Sequence, residues 1–208
     1  MPQPNFDLYL ITDRKLTRAG NLCAVVEQAL DGGVRAIQLR EKDLDGKELF
    51  KLADKISVLC RRYDAQFFIN DRVDVALAVD ASGVQLGKTS LPIETARALL
   101  GAEKLIGFSS HSVGEAIAAQ RSGANFLLFG PVFFTPSKAP FGAPQGVEAL
   151  KELVENVALP VYAIGGINAT SLTEAMSTGV RGVALISAII SAENPTATAR
   201  MILAKLAR

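Results

Sequence analysis

Eight short apolar or β-branched runs recur along this chain of 208 residues, and most are followed by a polar or glycine-containing junction and an amphipathic stretch. Such alternation is typical of βα units, in which helices connect parallel strands. Eight units favour a closed (β/α)8 barrel over an open sheet, and we expect one domain over residues 1–208. The predicted strands span residues 8–12, 36–40, 66–70, 83–86, 104–108, 125–129, 161–164 and 182–186.

Composition narrows the classes of function. A net charge of +1, from 22 basic and 21 acidic residues, gives no general attraction to nucleic acid or to an anionic membrane. No apolar run reaches the roughly 20 residues that span a bilayer, and the first residues lack a signal-peptide pattern, so we expect a cytoplasmic protein. Cys23 and Cys60 lack CxxC spacing, which predicts reduced core thiols, and His111 is the only histidine, which disfavours a zinc cluster.

Polar residues follow the second predicted strand, at the end where barrel enzymes carry their catalytic groups. Alternation directs Gln38, Arg40 and Lys42 to the same side of the chain. The planar Arg fork and the compact Lys charge suit diphosphate oxygens. The alternative is a set of solvated charges, but an unpaired charge within a strand would be costly, which favours an anion site. A Schiff-base role for Lys42 has no supporting signal.

Asp71 ends the third predicted strand, beside Asn70. A carboxylate next to a diphosphate pocket could hold Mg2+, which prefers oxygen ligands shared with phosphates. The equally weighted alternative is an N-cap for the helix that begins near Arg72.

Later junctions carry further candidates. The Gly165-Gly166 step and the Ile186-Ser187 step follow strands seven and eight, where barrels often bind phosphate through backbone N–H groups, although a double glycine can also form a tight turn. Residues 130–146 form a loop too long for a routine connection, which indicates a functional loop. His111 follows strand five, and packing and proton transfer are equally weighted roles for it.

Five strings carry a resemblance to a known family: LYLITD at 8–13, QLREK at 38–42, NDR at 70–72, GPVFFTPSK at 130–138 and AIGGI at 163–167. Together they make the chain resemble the thiamine-phosphate synthase and TenI family over about residues 8–189. The resemblance implies a transferase that joins 4-amino-2-methyl-5-hydroxymethylpyrimidine diphosphate to 4-methyl-5-(2-phosphoethyl)thiazole, releasing diphosphate by a dissociative route.

The resemblance also implies roles for individual residues. Gln38, Arg40, Lys42 and Asn70 would hold the pyrimidine diphosphate, with Asp71 on Mg2+, Ser109 near the pyrimidine and Lys138 on the diphosphate. The residues implied to receive the thiazole phosphate are Thr135, Ser137, Gly166, Ile186 and Ser187. Arg40, Lys42, Ser109, His111 and Lys138 are the candidate catalytic residues.

One departure from the family pattern opens alternatives. Where synthases read ADGVHLGQxD, residues 81–90 read ASGVQLGKTS, so we expect Ser82 to replace a second Mg2+ ligand, with Ser90 at the next acidic position. A TenI-type thiazole tautomerase that uses His111 without Mg2+, or a noncatalytic binder of a thiamine precursor, would tolerate that loss. The retained diphosphate residues favour the synthase. A homo-oligomer is compatible with the sequence, which does not set the oligomeric state.

Overall fold

The eight predicted strands are present in the computed structural model, which describes residues 3–18, 20–136, 142–168 and 170–207. They form a closed barrel in the order β1 to β8, and the (β/α)8 prediction is confirmed. No predicted strand boundary is wrong by more than two residues. The strands are β1 (Leu8–Ile11), β2 (Ala36–Leu39), β3 (Gln66–Asn70), β4 (Gly83–Leu86), β5 (Leu105–Ser110), β6 (Phe126–Phe129), β7 (Val161–Ile164) and β8 (Gly182–Leu185).

Helices connect these strands, and a short 3-10 turn (Arg14–Leu16) precedes the first helix. Within the described residues the helices are α1 (Leu22–Asp31), α2 (Gly46–Arg62), α3 (Val73–Ala78), α4 (Ile93–Leu100), α5 (Val113–Arg121), α6 (Gly146–Asn156), α7 (Ser171–Ser177), α8 (Ser187–Ile190) and α9 (Pro195–Leu206). None of these helices is long and apolar enough to cross a membrane.

Contacts between residues divide the chain into two units: a terminal unit (residues 8–85 and 185–208) and a central unit (residues 1–7 and 86–184). That the whole chain forms one domain stays a prediction. In the terminal unit β1, β2, β3 and β4 pair in parallel, and Tyr9 packs edge-on against Phe68 with 5.3 Å between ring centroids. Both rings lie on the strand face that also carries Gln38, since Gln38 is in register with Phe68.

Two helices of the terminal unit, α1 and α2, begin where a side chain accepts from one of their first N–H groups. Asn21 accepts from Ala24 N–H and Asp45 accepts from Glu48 N–H. The apolar face of α1 is buried and consists of Leu22, Val25, Val26, Ala29 and Leu30. Cys60 is a buried free thiol in α2, as predicted, and burial raises its pKa to about 12; Cys23 is also free but is only partly buried.

In the central unit, β5, β6 and β7 pair in parallel with β8 following β7. A cluster of aromatic rings fills its core: Phe6 stacks on Tyr162 at 4.7 Å, and Phe126 meets both rings edge-on. The Tyr162 hydroxyl donates to the Phe6 carbonyl at 2.8 Å, so the one polar atom of this cluster is satisfied.

Arg97 joins two connections of the central unit, the one between α4 and β5 and the one between α5 and β6. Its guanidinium donates to the carbonyl oxygens of Gly101 and Lys104, at 2.9 and 2.6 Å, and to Oδ1 of Asn125 at 2.6 Å. Asn125 Oδ1 also accepts from Ile106 N–H, which brings the starts of β5 and β6 together. The fork geometry of Arg is what lets one side chain reach several acceptors.

We predict that Arg97→Lys lowers the free energy of unfolding by about 2 kcal/mol, because a single ammonium leaves several partly buried acceptors without donors. Urea denaturation followed by circular dichroism measures the change. Arg121→Lys is the matched control, since Arg121 is an exposed residue at the end of α5 in the same unit. Equal losses in the two variants would contradict the role of the Arg97 fork.

Candidate active site

Gln38, Arg40 and Lys42 lie at the carboxyl end of β2 in the terminal unit. The strand ends at Leu39, so the prediction that Arg40 lies within the strand is wrong: its N–H donates at 3.0 Å to the hydroxyl of Thr12. Gln38 is only 1% exposed, and its amide nitrogen has no hydrogen-bond partner among the residues described. Arg40 is partly buried and Lys42 is exposed, and no carboxylate of the described chain forms an ion pair with either.

Glu41, which lies between these two cations, is buried and paired. Its side chain is 2% exposed and accepts from the Thr12 hydroxyl at 2.7 Å, from Arg14 N–H at 3.1 Å and from the Arg14 guanidinium at 3.1 Å. The guanidinium also binds Asp43, and this contact, with Lys15, holds the pKa of the Asp43 carboxyl well below its usual range. This network was not predicted from the sequence, because its donors, Thr12 and Arg14, lie 29 and 27 residues before Glu41.

Asn70 and Asp71 lie at the carboxyl end of β3, where Asn70 Nδ2 donates to Asp71 Oδ2 at 2.7 Å. Asp71 has a φ of +62°, a left-handed conformation that Asp and Asn tolerate better than most residues. Its own N–H donates to the carbonyl of Gln85, so the strained residue is held on both sides. Arg72, and not Asp71, occupies the N-cap position of α3, which argues against the capping role.

Gln85 is a further polar residue that the sequence analysis did not place in the site. It is 2% exposed and lies in register with Asn70 on the neighbouring strand β4. Residues in register on parallel strands carry their side chains to the same face, so Gln85 lies beside Asn70. Its position three residues before Lys88, within the string that departs from the family pattern, was the available signal.

The assignment of Ser82 as a replaced metal ligand is wrong. Ser82 N–H donates to the Phe67 carbonyl at 2.8 Å, and its hydroxyl accepts from Phe67 N–H at 3.0 Å. It therefore precedes β4 and lies beside the start of β3, whereas Asp71 follows the end of β3. Three to four strand residues, roughly 10 Å or more, therefore separate Ser82 from Asp71 along β3. The predicted start of β4 at residue 83 already places Ser82 before that strand, and the assignment from the motif did not use this position.

Ser109 and His111 lie at the carboxyl end of β5 in the central unit. Ser109 belongs to the strand itself, and His111 follows it directly. The His111 backbone N–H donates to the Glu115 carboxylate at 2.8 Å, and its ring Nδ1 makes a short contact with the carbonyl of Gly130. Because a carbonyl oxygen only accepts, Nδ1 carries the proton and Nε2 is the ring nitrogen available for proton transfer.

The loop after β6 is bound to the double glycine after β7. Val132 N–H donates to the Ile164 carbonyl at 2.9 Å, and Phe133 N–H donates to the Gly165 carbonyl at 3.0 Å. A Cβ at Gly166 would lie 2.5 Å from the Phe134 carbonyl oxygen, and one at Gly165 would lie 2.6 Å from Pro131. The glycines therefore permit a close approach of two backbones. No acceptor within the described residues takes the N–H of either glycine, so the phosphate prediction for this step stays open.

The remaining predicted residues are spread over both units. Thr135 is partly buried in the central unit, while Ser137 and Lys138 lie outside the described residues. Ile186 and Ser187 lie in the terminal unit, where α8 begins at Ser187 and the Ile186 carbonyl accepts from Ile190 N–H. The terminal unit thus contains Gln38, Arg40, Lys42, Asn70, Asp71, Ile186 and Ser187, and the central unit contains Ser109, His111, Thr135 and Gly166.

Comparison with known proteins identifies the family. Residues 8–189 match the family described as thiamine monophosphate synthase, TMP-TENI. The chain belongs to the thiamine monophosphate synthase family. A Geobacter sulfurreducens protein provisionally named thiamine-phosphate synthase is 50% identical over 99% of this chain and 97% of its own length. The thiamine-phosphate synthase of Clostridium novyi is 42% identical over 89% of this chain and 91% of its own.

A solved structure supports the same family and fold. The thiamine phosphate pyrophosphorylase from Pyrococcus furiosus superimposes with a TM-score of 0.89 at 41% sequence identity, and the match covers 98% of each chain. Family membership thus rests on nearly the whole chain and on its fold, and not on the short strings alone.

We predict that Gly166→Ala destabilises the protein more than Gly123→Ala does. Both glycines have a positive φ, +68° and +94°, but a Cβ at Gly123, which follows α5, meets nothing within 4 Å. Gly123→Ala therefore carries only the left-handed backbone cost of about 1 kcal/mol, while Gly166→Ala adds a steric cost of about 1–3 kcal/mol. Urea denaturation of both variants measures the difference, and equal values would contradict the close packing of the loop after β6.

We predict that Gln38→Met leaves the unfolding free energy unchanged or raises it by up to about 1 kcal/mol, because it removes a buried amide donor that lacks a partner. Gln120→Met is the control, since the Gln120 side chain accepts from Ala158 N–H at 2.7 Å and its loss should cost about 1 kcal/mol. Thermal denaturation compares the two variants. A larger loss for Gln38→Met would show that its amide serves the fold.

Proposed function

We propose that this protein is a thiamine-phosphate synthase, which condenses 4-amino-2-methyl-5-hydroxymethylpyrimidine diphosphate with 4-methyl-5-(2-phosphoethyl)thiazole and releases diphosphate. Membership of the family supports this function. The observation that carries it is the polar group at the ends of β2 and β3: the buried amide of Gln38, the side chains of Arg40 and Lys42, and the Asn70–Asp71 pair. A buried donor without a partner is costly, and a ligand that accepts its hydrogen bond removes that cost.

Charge stabilisation is the chemistry that this group can perform. When the C–O bond to diphosphate breaks, negative charge accumulates on the leaving group. Arg40 and Lys42 have no carboxylate partner within the described residues, so their charge remains available for the diphosphate oxygens. Lys138, which precedes the described range 142–168, is proposed as a third cation for the same diphosphate.

Asp71 is the proposed ligand for Mg2+. Its carboxylate projects from a strained residue that two hydrogen bonds hold in place, and an oxygen donor of this kind suits the ion. Within the described residues, no group of three or more His, Cys, Asp or Glu side chains forms a ready-made metal site. A Mg2+ ion there would share its coordination between Asp71, diphosphate oxygens and water, and would neutralise leaving-group charge.

The remaining residues are proposed to hold the second substrate. Gly166 and Ser187 offer N–H or hydroxyl donors of the kind that bind phosphate, with Thr135, Ser137 and Ile186 as further contacts. Ser109 is proposed to contact the pyrimidine. The thiazole nitrogen is already a nucleophile, so no residue has to act as a general base, and catalysis rests on positioning and on charge stabilisation.

A tautomerase is the second candidate, and one observation favours it. The contact of His111 Nδ1 with the Gly130 carbonyl leaves Nε2 free of described partners, as a proton-transferring histidine requires. Isomerisation of the thiazole that His111→Ala abolishes, without formation of thiamine phosphate, would establish this function instead of the synthase.

The decisive assay supplies both substrates with Mg2+ to the purified protein and measures thiamine phosphate. We predict that Asp71→Asn lowers the rate about 100-fold at a fixed Mg2+ concentration and raises the Mg2+ concentration needed for half-maximal rate, because an amide is a weaker ligand than a carboxylate. Its unfolding free energy should not change, since Asn adopts the φ of +62° as readily as Asp.

Asp64→Asn is the matched control. Asp64 has a φ of +50° at the end of α2 and is exposed, so the same substitution there should leave the rate and the Mg2+ requirement unchanged. No condensation by the unmodified protein would overturn the proposed function. Condensation that is unaffected by Asp71→Asn would overturn only the assignment of the metal ligand.

A further inference from the structure

We propose that Glu41 is a positioning residue, which holds Arg40 and Lys42 ready for the diphosphate by fixing the connection after β1 through Thr12 and Arg14. The inference rests on the proposed function, since it assigns Arg40 and Lys42 to the diphosphate. It concerns the terminal unit alone, where all five residues lie. Glu41 itself does not contact the substrate in this arrangement.

The Glu41 carboxylate is buried and has several donors. One oxygen accepts from the Thr12 hydroxyl at 2.7 Å, and both oxygens lie 3.1 Å from Arg14 N–H. The second oxygen also accepts from the Arg14 guanidinium at 3.1 Å. A buried carboxylate is retained only when donors of this kind compensate for its lost hydration. Through these hydrogen bonds, Glu41 links the connection after β1 to the end of β2.

Thr12 connects Glu41 to the backbone of the proposed diphosphate site. It is fully buried, and its N–H donates to the Gln38 carbonyl at 2.9 Å. Its hydroxyl oxygen accepts from Arg40 N–H at 3.0 Å while its hydroxyl proton points to Glu41. A hydroxyl donates one hydrogen bond, so the Glu41 acceptor fixes which way the Thr12 lone pairs face. The orientation of the Arg40 backbone therefore depends on Glu41.

The direction of the Glu41 side chain also protects the charge of the site. Its two sequence neighbours are cations, and a carboxylate that pointed with them would repel diphosphate. The hydrogen bonds from Thr12 and Arg14 instead hold Glu41 in a buried position, where Arg14 compensates for its charge. Arg14 also binds Asp43 through two hydrogen bonds, so both acidic neighbours of Lys42 are paired with the same guanidinium. The cations next to these acids are left for the ligand.

Four variants distinguish a positioning role of Glu41 from a role in stability alone. Thr12→Val keeps the size of the side chain but removes the hydroxyl, and Glu41→Gln keeps an acceptor oxygen but removes the charge that attracts Arg14. Thr12→Ser restores the hydroxyl in a smaller side chain. Asp43→Asn is the control, because it weakens the exposed partner of Arg14 and leaves Glu41 and Thr12 in contact.

The measurements are the dissociation constant of inorganic diphosphate with Mg2+, from calorimetry, and the KM of each substrate. We expect Thr12→Val and Glu41→Gln to weaken diphosphate binding and raise the KM of the pyrimidine diphosphate about 10-fold to 100-fold, the usual effect of losing an orienting partner. The KM of the thiazole phosphate should change by less than about threefold in both, and Thr12→Ser and Asp43→Asn should stay within about threefold of the unmodified protein for every constant.

Two results would overturn the proposal. If Thr12→Val and Glu41→Gln lower the melting temperature but leave diphosphate affinity and both KM values unchanged, the network only braces the fold. If both KM values rise together, the loss is general and Glu41 does not position the cations. Diphosphate binding that follows the expected order of variants, in a protein that forms no thiamine phosphate, would support the role of Glu41 while overturning the proposed synthase.

Discussion

The parallel register of the strands in the terminal unit is the constraint on which its polar residues depend. Ile11 is in register with Gln38, and Gln38 with Phe68, so these side chains share one face with Tyr9. A shift of one residue would exchange the two faces of a strand. Gln38 would then leave this face. The buried apolar residues of β2 therefore fix the position of its polar residues as well.

The central unit depends on a different constraint, which is the close approach of two backbones. Gly165 and Gly166 have no Cβ, and for that reason the loop after β6 can bond to the carbonyls at the end of β7. Val132 and Phe133, in the first part of the loop, are thereby bonded to the end of β7 and to the glycine that follows it. Gln145 N–H donates to the Pro131 carbonyl, so the far end of the same loop returns to its start. Hydrogen bonds therefore fix both described ends of this loop.

Much of the fold was predictable from the sequence, because apolar runs of four or five residues alternate with stretches of helical spacing. The strands Gln66–Asn70, Gly83–Leu86 and Val161–Ile164 match the predicted bounds in full. The end of β2 was not predictable, because a side chain, the Thr12 hydroxyl, takes the N–H of Arg40 that a strand partner would otherwise bind. Strand patterns report periodicity, and they carry no information on a competing acceptor from a distant part of the chain.

Candidate site residues can be chosen from the sequence, but the contacts that support them cannot. Residue type and position at a strand end make Gln38, Arg40 and Asp71 candidates, whereas the misplaced Ser82 shows that a motif position has no meaning until its strand end is known.

The same limit explains why the pairing of Glu41 with Thr12 and Arg14 could not be predicted from a string of charged residues. Arg14, whose pKa the neighbouring Asp43 and Glu41 raise, is paired with carboxylates, while Arg40 is not, although both arginines lie in connections that follow strands. A paired cation contributes to structure, and an unpaired one next to a buried, unsatisfied amide has charge to offer a ligand. The contacts of each arginine, and not its residue type, therefore separate support from binding in this unit.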